Sequence, residues 1–143
     1  MPSVAQLPAK TVLEDALADR ILVLDGAMGT KVQELSLDEQ SVRGDRFANH
    51  GKDLARFTDI LCLTHPEKIV DLHGRYLRAG ADIVETNTFG ASVIGMQEFD
   101  LPEDLVQEIN LAAVRCARQA VEECNRDLPG HPRFIAGSIG PTT

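Results

Sequence analysis

No run of apolar residues in this 143-residue chain approaches the ~20 that a membrane-spanning helix needs, so a bilayer-embedded protein is not expected. The first twenty residues carry Lys10, Glu14, Asp15, Asp19 and Arg20, which does not read as a signal peptide. The expected setting is soluble and cytoplasmic. Basic residues are scarce: 14 Lys and Arg stand against 22 Asp and Glu, a net charge of −8. Gripping nucleic-acid phosphates needs clustered cations, so nucleic acid is not an expected partner. Cysteine is scarce too. Cys62, Cys116 and Cys124 have no short paired spacing, which argues against a disulfide framework and against a zinc knuckle. The dinucleotide fingerprint and the Gly-Lys-Ser/Thr of a phosphate loop are both missing, so a nucleotide site is poorly supported.

What is present centres on Ile21-Leu-Val-Leu-Asp25-Gly-Ala-Met-Gly-Thr30. Four consecutive apolar residues read as a strand, 21–25, buried on both faces. Asp25 stands at its end, and Gly26 and Gly29 bracket a turn whose backbone N–H groups a ligand can approach closely. An acid at the carboxyl end of a buried parallel strand, beside a glycine turn, is where α/β proteins hold small molecules. The pattern returns in Ala81-Asp-Ile-Val-Glu85-Thr-Asn-Thr-Phe-Gly90, and again, with hydroxyls, in Arg133-Phe-Ile-Ala-Gly-Ser-Ile-Gly140. Strands are expected over 82–86 and 133–138.

Residues 1–9 hold two prolines and read as a loose tail, followed by a short helix over 11–20 that covers one end of the rest. Residues 31–63 show little period beyond a helical turn at 31–37. A long irregular segment after a site turn predicts a loop lying over the site. A helix is expected from about His65 to Ala79, with Thr64 and Glu67 as a capping box. Ile69, Val70, Leu72, His73, Tyr76 and Leu77 fall on one face, and Gly80 stops it. His73 then reads as a packed histidine with one hydrogen bond. After a helical turn at 92–98, a second long helix starts near Leu101, with Asp100 and Glu103 at cap spacing and Pro102 in the first turn. Its stripe is Leu105, Ile109, Ala112, Ala113, Cys116 and Ala120. Leu111, Val114 and Val121 lie off that stripe, which suggests neighbours on more than one side. Cys116 and Cys124 read as small core residues.

Strands alternating with amphipathic helices make this a parallel α/β architecture. Ile21, Leu22, Val23, Leu24, Ile83, Val84, Phe134 and Ile135 need cover on both faces of the sheet. Leaving four of them bare forfeits about 6–12 kcal/mol, comparable to the net stability of a whole domain. The expectation is the front of a larger barrel.

Four motifs in order carry a resemblance: Leu-Asp25-Gly-Ala-Met-Gly-Thr30, Arg43-Gly-Asp-Arg-Phe47, Ala79-Gly-Ala-Asp-Ile-Val-Glu85-Thr-Asn-Thr-Phe89 and Ala136-Gly-Ser-Ile-Gly-Pro-Thr142. Together they resemble the N-terminal, homocysteine-binding module of the cobalamin-dependent methionine synthases. The resemblance implies a (β/α)8 TIM barrel, α/β in class, of which the first three β/α units are present. Residues 1–20 would be a tail and capping helix, and 21–143 the barrel's front. It implies homocysteine as substrate, folate and cobalamin modules as partners within the parent chain, and zinc and methylcobalamin as cofactors. A free thiol of pKa about 8.5 is mostly protonated at neutral pH, and zinc would make it a thiolate. The cobalamin carries the bond chemistry.

Carried onto this sequence, Asp25 and Glu85 would face the substrate's amino group or orient the loop. Backbone N–H groups of Gly26, Ala27, Met28, Gly29 and Thr30 would meet its carboxylate. Asn87, Thr88, Phe89 and Gly140 would line the same mouth. The family's zinc ligands are a late cysteine and an adjacent cysteine pair after Gly-Gly; Cys62, Cys116 and Cys124 do not match them, so these residues supply no metal ligand. Where the family has Gly-Asn-Asn-Asp, this chain has Arg56-Phe-Thr-Asp59, keeping the aspartate. The alternatives are a stand-alone homocysteine methyltransferase using betaine, S-methylmethionine or S-adenosylmethionine, and a non-catalytic binding module.

Overall fold

A computed structural model describes residues 9–141. The expected tail lies outside them except for Ala9, which opens helix α1 (Ala9–Asp19). Then follow α2 (Met28–Glu34), α3 (Glu39–Arg43), a 3-10 turn (Thr58–Ile60), α4 (Leu61–Thr64), α5 (Pro66–Arg78), β1 (Ile83–Glu85), α6 (Val93–Gln97), α7 (Asp104–Asp127) and β2 (Phe134–Ala136). β1 and β2 are parallel, with Ile83 opposite Phe134 and Glu85 opposite Ala136. The third ladder is thinner than expected. Only Leu24 bridges to Ile83, supported by Asp25 N–H donating to Ile83 O at 2.9 Å and Asp82 N–H to Val23 O at 2.8 Å. The expected strand 21–25 is thus an extended segment with a single bridge.

Its burial also differs from expectation. Ile21 is 88% exposed, and Val23, Leu24 and Ile135 are exposed as well, so four of the eight strand residues lack cover. One layer of helices lies against the sheet: Val84 is fully buried in the same cluster as α5 and α7, and the described residues put no second layer opposite. Two parallel strands and a bridge do not close a barrel. The segment is nonetheless anchored. Arg20 clamps Asp82 with two bonds of 2.9 and 2.5 Å, and the same carboxylate accepts Val23 N–H at 2.9 Å. The Arg20 guanidinium holds the Asp82 carboxyl below the usual range.

α5 packs on α7, and this pair carries the core. The alanines of α7 (Ala112, Ala113, Ala117, Ala120) are all buried, and small side chains let two helices approach closely. The α7 stripe is buried as its period predicts, Cys116 and Cys124 included. Of the off-stripe residues, Val121 is buried but Leu111 is exposed. Gly80, at φ 110°, ends α5.

Neither expected capping box forms. α5 starts at Pro66 behind His65, with no side-chain cap, and Thr64 instead donates to Val42 O at 3.0 Å, tying α4 to α3. α7 starts at Asp104. Asp100 adopts φ 50° and pairs with Lys52 at 3.3 Å, away from the helix. α6 is capped by Ser92, which accepts Gly95 N–H at 3.1 Å.

The segment 31–63 is not one loop over the site: short helices and the irregular stretch 44–57 between them bury Val32, Val42, Phe47, Leu54, Phe57, Ile60 and Leu61 in the core, and only Arg56 to Asp59 come to the site. The Arg43–Phe47 motif serves this packing. Arg43 ties Glu39 and the His50 carbonyl, Arg46 grips Glu108 of α7 at 2.6 and 2.7 Å, and Phe47 is buried.

His73 is buried, as its place on the stripe predicts, but the expected hydrogen bond is absent: neither ring nitrogen has a partner among the described residues. Burial pushes its pKa down to about 4. The unfolded chain therefore takes up a proton near pH 6.5 that the folded protein refuses until about 4, so this site loses stability as pH falls through that window. His73→Leu is expected to gain on the parent by about 2 kcal/mol between pH 7.5 and pH 5 in urea unfolding of the full-length protein. Parallel pH profiles for the two proteins would show that the histidine ionises freely in the fold.

Candidate functional site

A cleft of about 1070 Å³ opens beyond the carboxyl ends of β1 and β2. Three chain segments meet there because parallel strands deliver their following loops to one side. Met28 and Gly29 come from the start of α2. Glu85 to Gly90 come from the β1–α6 connection, and Ser138 and Pro141 from beyond β2. The fourth wall, Arg56 to Asp59, belongs to the segment 31–63.

Of the residues singled out in the sequence, Met28, Gly29, Glu85, Asn87, Thr88 and Phe89 line the cleft. Asp25, Gly26, Ala27, Thr30 and Gly140 do not, but two of these stand directly behind it. Asp25 accepts Glu85 N–H at 3.0 Å through Oδ1. Gly140 lies so close to Phe89 that a Cβ there would sit 2.1 Å from the Phe89 carbonyl oxygen. None of Arg43 to Phe47 lines the cleft.

The glycine turn differs from expectation in one respect. Gly26 and Gly29 have open space around them, and the left-handed residue is Ala27 at φ 49°. A non-glycine residue in that region stores strain, a feature that collects at functional sites. Because α2 starts at Met28, the N–H groups of its first turn are free of intrahelical partners.

The electrostatics are acidic. Asp25 is pushed up to about 6, by burial first and by the nearby Glu85 charge as well, while the Glu85 N–H bond opposes the rise. Neither Asp25 nor Glu85 forms an ion pair among the described residues. Asp59 is buried at 5% exposure and also pushed up to about 6 by burial, although it accepts Gly90 N–H at 2.8 Å.

The hydroxyls are committed to structure. Thr88 donates to Ser138 O at 2.8 Å, Ser138 N–H donates to Thr86 Oγ1 at 3.2 Å, and the two threonine oxygens are 2.8 Å apart. This closed ring stitches the end of β1 to the end of β2. Asn87 donates to Thr58 O at 2.9 Å and so leans on the fourth wall.

Comparison with known proteins now decides the family. The model of the homocysteine S-methyltransferase domain matches residues 22–143, most of the chain. The chain belongs to the homocysteine S-methyltransferase family. Two solved structures of the homocysteine methyltransferase MmuM from Escherichia coli are similar to it. The oxidized form is 26% identical with a TM-score of 0.72 over 91% of this chain, and the metallated form 25% identical with 0.72 over 92%. The chain spans about two fifths of the length of those proteins, 41% and 42%. No helix among the described residues is long and apolar enough to cross a membrane.

The described residues of this family member do not fit a zinc site. No three of its His, Cys, Asp or Glu side chains gather as a metal would require. Cys62, Cys116 and Cys124 are all buried. Cys116 beside it, together with burial, pushes the Cys62 thiol well above the usual range, and its hydrogen-bond partners are the Asn87 carbonyl and side-chain amide rather than an open site.

The fourth wall was expected only as an unplaced loop over the site: residues 31–63 lack a period, and Arg56 to Asp59 were not singled out as site residues. The available signal was Asp59 itself: an acid flanked by Phe57 and Ile60, and the residue of Arg56–Asp59 that matches the family's pattern.

Proposed function

We propose that this chain supplies part of the homocysteine pocket of a methyltransferase, and that the parent protein transfers a methyl group to homocysteine sulfur to give methionine. The observation that carries the reading is the pair of strand-end acids. Glu85 lines the cleft and Asp25 stands directly behind it, joined to it by the 3.0 Å bond from the Glu85 N–H, and neither has a cation among the described residues. An α-ammonium group supplies that cation. Its approach favours the ionised form of Asp25, so part of the attraction appears only on binding. The carboxylate of the amino acid would meet the open N–H groups of the first turn of α2. Phe89 and Phe57 give the thiol-bearing side chain of homocysteine apolar walls.

The cleft is open on one side, so a methyl donor could approach homocysteine from there. The finer reading is cobalamin-dependent methionine synthase, with methylcobalamin as donor and with folate and cobalamin modules in the parent. The Arg43–Phe47 segment supports it. The MmuM likeness supports a stand-alone homocysteine methyltransferase as the second reading. In either case zinc would be held by residues other than those described.

The test is methionine formation by the full-length protein from homocysteine with methylcobalamin, S-methylmethionine, betaine or S-adenosylmethionine offered separately. Activity with methylcobalamin alone would establish the finer reading; activity with another donor, the second. Folded protein that neither binds nor methylates homocysteine would leave a binding module of another kind.

A further inference from the structure

The geometry points to Asp59 as a positioning residue: from the fourth wall it holds the β1–α6 turn in the shape that presents Glu85, Asn87 and Phe89 to the cleft. The inference rests on the homocysteine reading and adds a residue and a device to it.

Asp59 is a carboxylate with 5% exposure and no ion pair among the described residues. Burying such a group is costly, so a fold retains one where its acceptor oxygens are needed. A carboxylate accepts and cannot donate when ionised, and what faces it here is an N–H: Gly90 donates to Oδ1 at 2.8 Å. The fit is tight on both sides. A Cβ at Gly90 would lie 3.1 Å from Phe57 Cε2 and 3.3 Å from Asp59 Oδ2, so glycine lets the turn come down onto the carboxylate.

Two more bonds join the same pair of segments. Asn87 Nδ2 donates to Thr58 O at 2.9 Å, and the Cys62 thiol lies 3.7 Å from Asn87 O. The turn is held from the opposite side by the Thr88–Ser138 bond. Glu85 opens this turn and Gly90 closes it. Loss of the Asp59 bond frees the Gly90 end and leaves a part-buried N–H without its acceptor, while the Thr88 stitch still holds the middle. The consequence should appear in substrate binding more than in the methyl-transfer step.

The experiment uses the full-length protein with homocysteine and its donor. Asp59→Ala is expected to raise the homocysteine KM roughly tenfold, the scale of one stranded part-buried donor, with kcat and donor KM changed by less than about threefold. Asp59→Asn keeps an oxygen for Gly90 N–H and is expected to recover most of the loss. Gly90→Ala presses on the same contact from the other side and is expected to raise the homocysteine KM several-fold. It serves where Asp59→Ala does not fold.

Three results would overturn the proposal. A normal KM in folded Asp59→Ala, or in Gly90→Ala, would leave Asp59 a purely structural group. Asp59→Asn as impaired as Asp59→Ala would mean that the charge itself meets the substrate. A parent protein that does not use homocysteine would remove the premise, and that is seen before any variant is made.

Discussion

Gly140→Ala is expected to destabilise the full-length protein by about 3 kcal/mol and to weaken homocysteine binding, while Gly137→Ala should change stability by less than about 0.5 kcal/mol. The two glycines stand three residues apart after β2, but their surroundings differ completely. A Cβ on Gly137 meets nothing within 4 Å. A Cβ on Gly140 would lie 2.1 Å from the Phe89 oxygen and 3.1 Å from the Phe89 carbonyl carbon. Both are backbone atoms, so no rotamer change can absorb the clash. Either the β2 loop or the Phe89 turn must move, and the Thr88–Ser138 bond at 2.8 Å spans the same gap. The strain therefore falls on the contact that aligns two walls of the cleft. Thermal unfolding and homocysteine titration of the two variants, side by side, check it. Equal melting temperatures would mean that the two loops are not in contact in solution.

Legibility followed periodicity. The stripes of α5 and α7 were readable because an amphipathic helix repeats its apolar residues every three or four positions, and those residues are buried here. The caps misled, because spacing reports what a side chain could reach if the helix began beside it. Thr64 found Val42 O instead, and Asp100 turned left-handed toward Lys52. The run Ile21–Leu24 was read as needing cover from the rest of a larger barrel, and its outcome in this chain is in keeping with that. Four apolar residues in a row suggest cover on both faces, but the described chain supplies one helical layer, and Ile21, Val23 and Leu24 stay exposed.

The candidate site was legible by halves. Acids after apolar strands mark the carboxyl ends of a parallel sheet, so Asp25 and Glu85 could be placed together before their 3.0 Å link was known. The wall formed by Arg56 to Asp59 could not, since irregular chain running into a three-residue 3-10 turn shows no period. Its residues reach the cleft through packing among Val42, Phe57, Ile60 and Leu61, a long-range outcome that no local pattern encodes. The motif that most sharpened the family resemblance, Arg43–Phe47, turned out to brace α3 against α7 through Arg46 and Glu108 rather than to touch the cleft.

Asp25→Asn is expected to make the protein more stable and a poorer binder at once. The folded Asp25 has its pKa raised to about 6, above the ~3.9 of the unfolded chain, so the folded state holds its proton more tightly. Ionising it at neutral pH therefore costs stability, a cost that is absent below about pH 4 and grows as pH rises through 6. The asparagine oxygen can still accept Glu85 N–H, and the buried charge beside Glu85 is gone. Because Asp25 is only half-buried, solvent screens the effect, and a gain of about 1 kcal/mol at pH 7.5 is expected, fading to nothing near pH 4. Homocysteine affinity should meanwhile fall roughly tenfold, the scale of losing one nearby charge behind the cleft. The parent should also bind homocysteine more tightly at pH 7 than at pH 5, and the variant should lose most of that dependence. Urea unfolding and calorimetric titration across this range separate the two effects. A variant that binds as tightly as the parent would remove Asp25 from the substrate's reach and leave Glu85 to meet the amino group alone. The opposite signs expected for stability and binding arise from one physical cause: an acid held in a half-buried place without a cation waits for the ligand that brings one.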